Sequence, residues 1–268
     1  MAEIVPAPEG GGAFMVVAGV TEQSWVDPAD PLRLEFEYVQ RIAEALDATV
    51  LARPADERVR VVHIGGGGLT IPRYIAARRP HTAQIVLEPD ADLIEQVRVR
   101  LPLPPHSGIK IRAVDGVSGL AAMPDDYADA IVLDAFSRAQ VPGELVTAEF
   151  FDEVARVLRP QGLFTANVTD RAPITWTRQV MAGVLERWPQ AALCAEVSVW
   201  KGRRFGNFVF FASRAPLPLA ALDRAASRAA FPHRLLWGAD LAAWVGSAHP
   251  FTSADAQPSP LPGRSWFD

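Results

Sequence analysis

The chain has 268 residues, enough for one large hydrophobic core or for one core with a small appendage. Its net charge of -5 at pH 7 argues against nucleic acid as a partner, because nucleic-acid recognition favours a basic face. The apolar stretch at 13–20 is too short to cross a bilayer and lacks the flanks of a secretion signal. We therefore expect a cytoplasmic protein without a membrane partner.

The first 50 residues predict an arm, a β-rich segment and a helix. Residues 1–12 are rich in Pro and Gly, as in a loose arm, and the segment 14–30 is β-rich with turns. A helix is predicted over 32–48, because apolar residues recur there at a spacing of four. These apolar residues are Leu34, Tyr38, Ile42 and Leu46.

Strand and helix patterns alternate through residues 51–215. The predicted strands are 58–64, 83–88, 109–114, 129–134, 162–168, 192–200 and 207–213. The predicted helices are 70–79, 91–101, 145–158 and 174–188. This order indicates an α/β, doubly wound, mostly parallel, seven-stranded Rossmann-like sheet. Its last two strands form an antiparallel edge pair, an ending typical of class I methyltransferases. Residues 216–268 predict a helix over 219–231 and a Pro-rich tail packed on this domain.

Small and acidic residues stand where the predicted parallel strands end, the edge at which such sheets bind ligands. Gly65 to Gly68 follow the first strand and leave backbone bare for a ligand. Glu88 follows the second strand, about 20 residues later, where an acid can accept hydrogen bonds from ribose hydroxyls. Asp115 and Asp134 end the next two strands. This pattern suits a nucleoside with a sulfonium or ammonium group better than a pyrophosphate.

Other features have structural interpretations. Thr70 replaces the third glycine of a dinucleotide loop, which favours a mononucleoside over NAD. Glu88 could instead cap a helix, Asp115 could be a turn residue, and the basic turn at 201–204 is predicted to be a solvated hairpin tip. Cys194 is the single cysteine and is expected to be a buried thiol. His63 is expected in the core, and the other histidines are scattered, so no metal site is predicted.

The order of these motifs resembles the spermidine synthase family, the polyamine aminopropyltransferases on the class I S-adenosylmethionine-dependent methyltransferase fold. It is most similar to the divergent bacterial spermidine synthase-like branch, over about residues 23–213. The resemblance implies a group donor, decarboxylated S-adenosylmethionine or S-adenosylmethionine, and no metal. It implies that the nucleoside is held by Gln23, Gly65, Gly66, Gly67, Glu88, Asp115 and Gly116. Asp134 would be the catalytic residue beside the reacting amine, and Tyr38, Ser137 and Asp170 would contact the substrate.

The chain departs from the family pattern at three places. Gly68 stands where the family has an aspartate that handles the amino end of the donor. Val39 and Gln40 replace a histidine and a glutamate, and Ser137 replaces the second aspartate of the catalytic pair. Ionic contacts expected for an amine substrate or for the donor tail are therefore missing.

These patterns predict a transferase of polyamine biosynthesis that moves an alkyl group, foremost an aminopropyl group, from an S-adenosyl sulfonium donor to an amine. Asp134 would orient the amine and stabilise developing positive charge, with proximity contributing most of the rate. Two alternatives stay open: an S-adenosylmethionine-dependent methyltransferase acting on a small molecule, and a non-catalytic nucleoside-binding homologue. We also expect a homodimer.

Overall fold

The computed structural model describes residues 2–19 and 21–262, which form a small antiparallel sheet and a large mixed sheet. The strands are β1 Ala2–Pro6, β2 Phe14–Ala18, β3 Thr21–Val26, β4 Arg60–Ile64, β5 Ala83–Leu87, β6 Ile109–Arg112, β7 Ala128–Leu133, β8 Leu158–Asp170, β9 Gln190–Glu196, β10 Gly206–Ser213 and β11 His233–Trp237. The helices are α1 Glu37–Asp47, α2 Thr70–Arg78, α3 Ala91–Arg100, α4 Gly116–Ala121, α5 Ala148–Val157, α6 Thr175–Arg187, α7 Val197–Trp200, α8 Leu219–Arg228 and α9 Gly238–Val245. Short 3-10 turns lie at Val50–Ala52 and Gly143–Val146.

The large sheet confirms the predicted doubly wound fold. Its strand order is β11-β9-β10-β8-β7-β4-β5-β6. The five strands from β8 to β6 are mutually parallel, and β10 runs antiparallel between β8 and β9. Neighbouring residues of the central strands point to opposite faces of the sheet, and these residues are apolar on both faces. Helices therefore cover both faces. Val62 packs with α5 and α6, whereas Val61 packs with α1 and α2.

Two expectations about the last strands are wrong. Within the described residues the large sheet has eight strands rather than seven, because β11 adds an antiparallel edge next to β9. The strand predicted at 192–200 ends at Glu196, and the apolar residues that follow form the helical turn α7. An apolar run alone does not distinguish a strand from a short buried helix.

The expectation of a loose N-terminal arm is also wrong. Residues 2–6 form strand β1, which pairs with β2 from Ala2 to Pro6. The side chain of Gln96 on α3 accepts from the Ile4 N–H at 3.1 Å and donates to the Ala2 carbonyl at 2.9 Å. These contacts satisfy one edge of β1, which the composition of the segment could not indicate.

The C-terminal part contains more structure than the sequence predicts. Helix α8 matches the predicted helix, but β11 and α9 follow it without a prediction. The described part of the predicted tail lacks regular structure, and residues 263–268 of that tail lie outside the described residues. No helix in the described part of the chain is long and apolar enough to span a membrane. Cys194 is buried and free, as predicted, and burial raises the pKa of its thiol to about 12.

Candidate active site

A cavity of about 830 Å³ opens where β4, β5 and β7 end, and we call it the first cavity. Its volume lies within the range of about 300–1,000 Å³ that is common for small-molecule sites. Ten of the eleven predicted site residues line it. They are Gln23, Tyr38, Gly65, Gly66, Gly67, Glu88, Asp115, Gly116, Asp134 and Ser137.

Gly65, the first residue of the glycine loop, packs against the chain itself. Its φ is 92°, a conformation that favours glycine. A Cβ at this position would lie 2.3 Å from the carbonyl oxygen of Asp134 and 2.9 Å from the Cα of Ala135. Gly65 therefore lets the loop after β4 approach the end of β7, where Asp134 is located.

Glu88 fixes the glycine loop from the neighbouring strand. One carboxylate oxygen accepts from the N–H of Gly66 at 2.8 Å, and the other accepts from the N–H of Asp90 at 3.0 Å. The cap of α3 is Asp90, whose side chain accepts from the N–H of Leu93 at 3.0 Å. The helix-cap interpretation of Glu88 is therefore wrong, and its partly exposed carboxylate lines the first cavity.

Asp115 has a structural role in addition to its position in the first cavity. Its carboxylate accepts from the N–H of Ser118 at 2.8 Å and so caps α4. This hydrogen bond holds the pKa of Asp115 below its ordinary value. The adjoining Gly116 also lines the cavity.

Asp134 lies at the centre of a small polar cluster. The side-chain amide of Asn167, on β8, donates to one of its carboxylate oxygens at 3.0 Å. The hydroxyl of Tyr38, on α1, donates to the carbonyl oxygen of Gln23 at 3.4 Å and lies near the same carboxylate. Burial raises the pKa of Asp134 to about 6, against the opposing effect of the Asn167 and Tyr38 side chains. Burial and the Asp134 carboxylate together raise the pKa of Tyr38, which stays a neutral donor.

A second cavity of about 530 Å³ lies on the other side of this cluster. The wall between the cavities includes Gln23, Phe36, Tyr38, Phe136, Ala139 and Pro262, which line both. Asn167 lines the second cavity, so Asp134 is one hydrogen bond away from it. Among the described residues, four carboxylates line the second cavity, namely Glu22, Glu35, Glu37 and Glu196.

The basic residues of the second cavity only partly balance these acids. Arg204 is paired with Glu196, and His233 lies 3.9 Å from Glu37. Burial lowers the pKa of His233, so its ring is neutral at pH 7, and burial raises the pKa of Glu37. The basic turn predicted as a solvated tip therefore contributes Arg204 to a cavity wall.

Comparisons with known proteins identify the relatives of this chain. No protein-family model matches it. It is 27% identical over 168 residues to a polyamine aminopropyltransferase of Chromobacterium violaceum, which covers 62% of each chain. It is 28% identical over 144 residues to the polyamine aminopropyltransferase of Vibrio vulnificus, covering 53% of this chain and 46% of the relative. The matches therefore span less than two thirds of either curated relative.

The solved structures extend this similarity over most of the chain. A probable spermidine synthase from Corynebacterium glutamicum superposes with a TM-score of 0.87 and 26% identity, covering 94% of this chain and 92% of that one. The chain is a homologue of the polyamine aminopropyltransferases. A spermidine synthase in complex with the transition-state analogue AdoDATO shares the fold, with a TM-score of 0.58, 18% identity, and coverage of 85% and 73%.

The missing aspartate of the spermidine synthase loop has a steric explanation. Gly68 occupies its position, and a Cβ there would lie 2.5 Å from a methyl group of Val26 and 3.1 Å from the hydroxyl of Ser24. Both residues belong to β3 of the small sheet. The N-terminal sheet therefore packs directly on the loop, and Gly68 is buried outside the first cavity.

The other departures from the spermidine synthase pattern have separate surroundings. Gln40 donates to the carbonyl of Leu34 at 2.7 Å and fixes the entry into α1. Val39 is buried and lines the first cavity. Ser137 lies in a tight turn with Gln140, to which its N–H donates at 2.8 Å, and its exposed side chain borders the first cavity.

Asp170 is the one predicted site residue that the structure does not bring to either cavity. Its carboxylate is buried and accepts from the N–H of Thr177 at 2.8 Å and of Arg171 at 2.7 Å. It therefore stabilises the start of α6, the turn role that the sequence also allowed.

Sequence reasoning assigned no role to Glu37 or Glu196, and it placed Asn167 at the ligand edge, after the fifth predicted strand, without a specific contact. Asn167 stands at a strand end like the predicted acids, which was the available signal. Glu196 lies inside the strand predicted at 192–200, whereas in the structure it is the last residue of β9. His63 is in the core, as predicted, with its Nε2 2.9 Å from Gln84, and burial lowers its pKa to about 4. The described residues contain no group of side chains arranged to hold a metal.

Proposed function

We propose that this chain transfers an alkyl group, foremost aminopropyl, from an S-adenosyl sulfonium donor to an amine such as a polyamine. One juxtaposition carries the proposal: Asp134 lies in the wall of the first cavity and, through Asn167, next to the acidic second cavity. The donor would occupy the first cavity and the amine the second, and the two would meet at Asp134.

The residues of the first cavity suit the nucleoside of the donor. The Glu88 carboxylate faces the glycine loop from a position where it can accept hydrogen bonds from ribose hydroxyls. The loop presents backbone without side chains, so a ligand can lie close to it. The protein group expected to contact the donor tail is absent, because Gly68 has no room for a side chain.

The second cavity suits a cationic acceptor. Among the described residues of its lining, four carboxylates outnumber one guanidinium, so the field of these residues favours positive charge. These acids do not lie at Gln40, Gly68 or Ser137, the positions at which the spermidine synthase family has acidic residues. Asn167 would add a neutral acceptor, since its side-chain oxygen is buried and has no hydrogen-bond partner within residues 2–19 and 21–262.

The chemistry is a displacement at the carbon bound to sulfur. The amine nitrogen forms the new C–N bond, the C–S bond breaks, and its electron pair leaves with the thioether product. The attacking amine needs a free lone pair, yet a primary amine with a pKa of about 10 is mostly protonated at neutral pH. The Asp134 carboxylate, with a pKa of about 6, is ionised at pH 7 and stabilises the positive charge on nitrogen. The proton released from the product ammonium goes to solvent.

The test uses decarboxylated and intact S-adenosylmethionine side by side with a panel of diamines and polyamines. We expect transfer of aminopropyl groups, detected by mass spectrometry, and tighter binding of the decarboxylated donor in calorimetric titration. The absence of an acid at Gly68 favours one second candidate, methyl transfer from intact S-adenosylmethionine. Methyl transfer alone would replace the aminopropyl proposal, and tight binding with no transfer of either group would leave a nucleoside-binding homologue.

A further inference from the structure

The C-terminal segment of the described chain crosses the mouth of the candidate site. Phe251 is buried against Trp176, with ring centroids 6.0 Å apart, and the Trp176 indole donates to the carbonyl of Gln257 at 2.9 Å. The segment then reaches the cavities, where Leu261 lines the first and Pro262 lines both. Residues 251–262 are therefore anchored before they reach the site.

Ser259 is the most connected residue of this segment. It is fully buried, its N–H donates to the carbonyl of Val141 at 3.0 Å, and its hydroxyl oxygen accepts from the N–H of Val141 at 2.9 Å. The side-chain amide of Gln140 donates to its carbonyl. The hydroxyl of Thr169, at the end of β8, lies 3.1 Å from the Ser259 hydroxyl. Ser259 thus connects Gln140 and Val141, which follow Asp134 in the chain, to β8, the strand that carries Asn167.

The turn just before Val141 is strained. Ser137 and Gln140 exchange two backbone hydrogen bonds, of 2.8 and 3.0 Å, across Arg138 and Ala139. The φ angles of these two central residues are 51° and 63°. Turns with two positive φ angles favour Asn-Gly, because residues with larger side chains disfavour this conformation. The turn therefore needs support from outside, and its residues from Ser137 to Ala139 line the first cavity.

We propose that Ser259 is a positioning residue for the active site: it holds the strained Ser137–Gln140 turn that walls the cavities. The turn begins two residues after Ala135, so its conformation sets the space around Asp134. This role goes beyond the proposed function and does not depend on which group is transferred.

Hydrogen exchange on the full chain tests the coupling between Ser259 and the turn. Ser259→Ala removes the acceptor of the Val141 N–H, and we expect exchange over residues 137–141 to rise by about tenfold or more, as local opening becomes easier. Ser253→Ala is the matched control, since that serine is an exposed residue of the same segment. The same two variants are titrated with 5′-methylthioadenosine, and only Ser259→Ala should lose affinity, by about tenfold.

A rescue separates positioning from general stabilisation. The double substitution Arg138→Asn with Ala139→Gly favours the turn intrinsically and should restore both exchange protection and affinity to Ser259→Ala. The proposal would be overturned if Ser259→Ala did not change hydrogen exchange over residues 137–141. It would also be overturned if the Asn-Gly turn restored neither the exchange protection nor the nucleoside affinity of Ser259→Ala. If the wild type binds no nucleoside, the proposed function fails, while the exchange measurement still decides the role of Ser259.

Discussion

Asp134 shows how a single residue acquires a chemical role from its surroundings. Its carboxylate ends an apolar strand, where desolvation raises its pKa to about 6. The side chains of Asn167 and Tyr38 oppose this effect, and the hydrogen bond from Asn167 fixes the orientation of the carboxylate. Such a group is ionised at neutral pH but poorly solvated, which suits interaction with a substrate cation.

Replacing Asp134 by Asn keeps its shape and removes its charge. We expect Asp134→Asn to bind nucleoside within a few-fold of wild type but to lose turnover by about a hundredfold or more, as for other charge-stabilising groups. The measurement is transfer by mass spectrometry together with nucleoside titration, and Asp92→Asn, an exposed acid, is the control. Turnover equal to that of wild type would exclude this role for Asp134.

The raised pKa of Asp134 also affects stability. The fold favours the neutral carboxyl, so its contribution to stability is present at low pH and is lost as pH rises from about 4 through 6. Asn does not titrate, so Asp134→Asn should gain stability relative to wild type between pH 4 and pH 8, by up to about 3 kcal/mol for a shift of this size. Thermal melts at both pH values measure this, and a difference independent of pH would contradict it.

Glu88 is predicted to contact the ribose. Glu88→Ala should weaken nucleoside binding by a factor of about 10 to 100, because hydrogen bonds to a charged group contribute about 1.5–3 kcal/mol. Thr147→Ala provides a contrast, since it removes the cap of α5 outside both cavities and should mainly lower the melting temperature. Equal affinity of Glu88→Ala and wild type would show that Glu88 only fixes the loop.

At the scale of elements, the glycine loop and β7 form one unit. A Cβ at Gly65 would lie 2.3 Å from the carbonyl oxygen of Asp134, whereas a Cβ at Gly67 would lie 3.4 Å from Ser24, an ordinary contact distance. Both glycines have positive φ angles, which cost other residues about 1–2 kcal/mol. The difference between the two positions is therefore the steric clash at Gly65.

We expect Gly65→Ala to destabilise the protein more than Gly67→Ala and to lower turnover as well, because it displaces the loop from Asp134. Chemical denaturation gives the free energy of unfolding of both variants, and transfer assays give their activity. If the two alanine variants unfold at the same denaturant concentration, the close approach of the loop to β7 does not require glycine at position 65.

At the scale of the whole molecule, the second cavity depends on segments far apart in the chain. Glu37 comes from the start of α1, Asn167 from β8, and Glu196 from the end of β9. Their carboxylates and amide meet only because β8, β10 and β9 lie side by side with α1 packed across them. The division at 1–50, 51–215 and 216–268, and the homodimer, stay predictions.

The acidic second cavity makes a specific prediction about the acceptor. Glu37→Gln should raise the KM for a diamine by about tenfold, with kcat and nucleoside affinity within a few-fold, since it removes a charge that attracts the amine. Glu57→Gln, an exposed acid outside both cavities, is the control. A KM unchanged by Glu37→Gln would place the amine elsewhere.

The sequence by itself determined the parallel sheet and the edge of that sheet at which the first cavity opens. Short segments rich in Val, Ile and Leu that alternate with helical patterns define β4, β5 and β7. Ligand-facing residues of a parallel sheet follow its strands directly. Gly65, Glu88 and Asp134 could therefore be placed at one edge from local patterns. Boundaries were less predictable, as for the strand that ends at Glu196, because an apolar run continues into α7.

Only the tertiary structure decided the rest, because those features depend on contacts between distant residues. Strand β1 is stabilised by Gln96, about ninety positions away, and the absence of a side chain at Gly68 is explained by Val26. Asp170 resembles the other strand-end acids in sequence, yet the backbone of α6 uses its carboxylate. The acidic cavity and the contact of Ser259 with Val141 likewise arise from packing, which residue type and spacing do not encode.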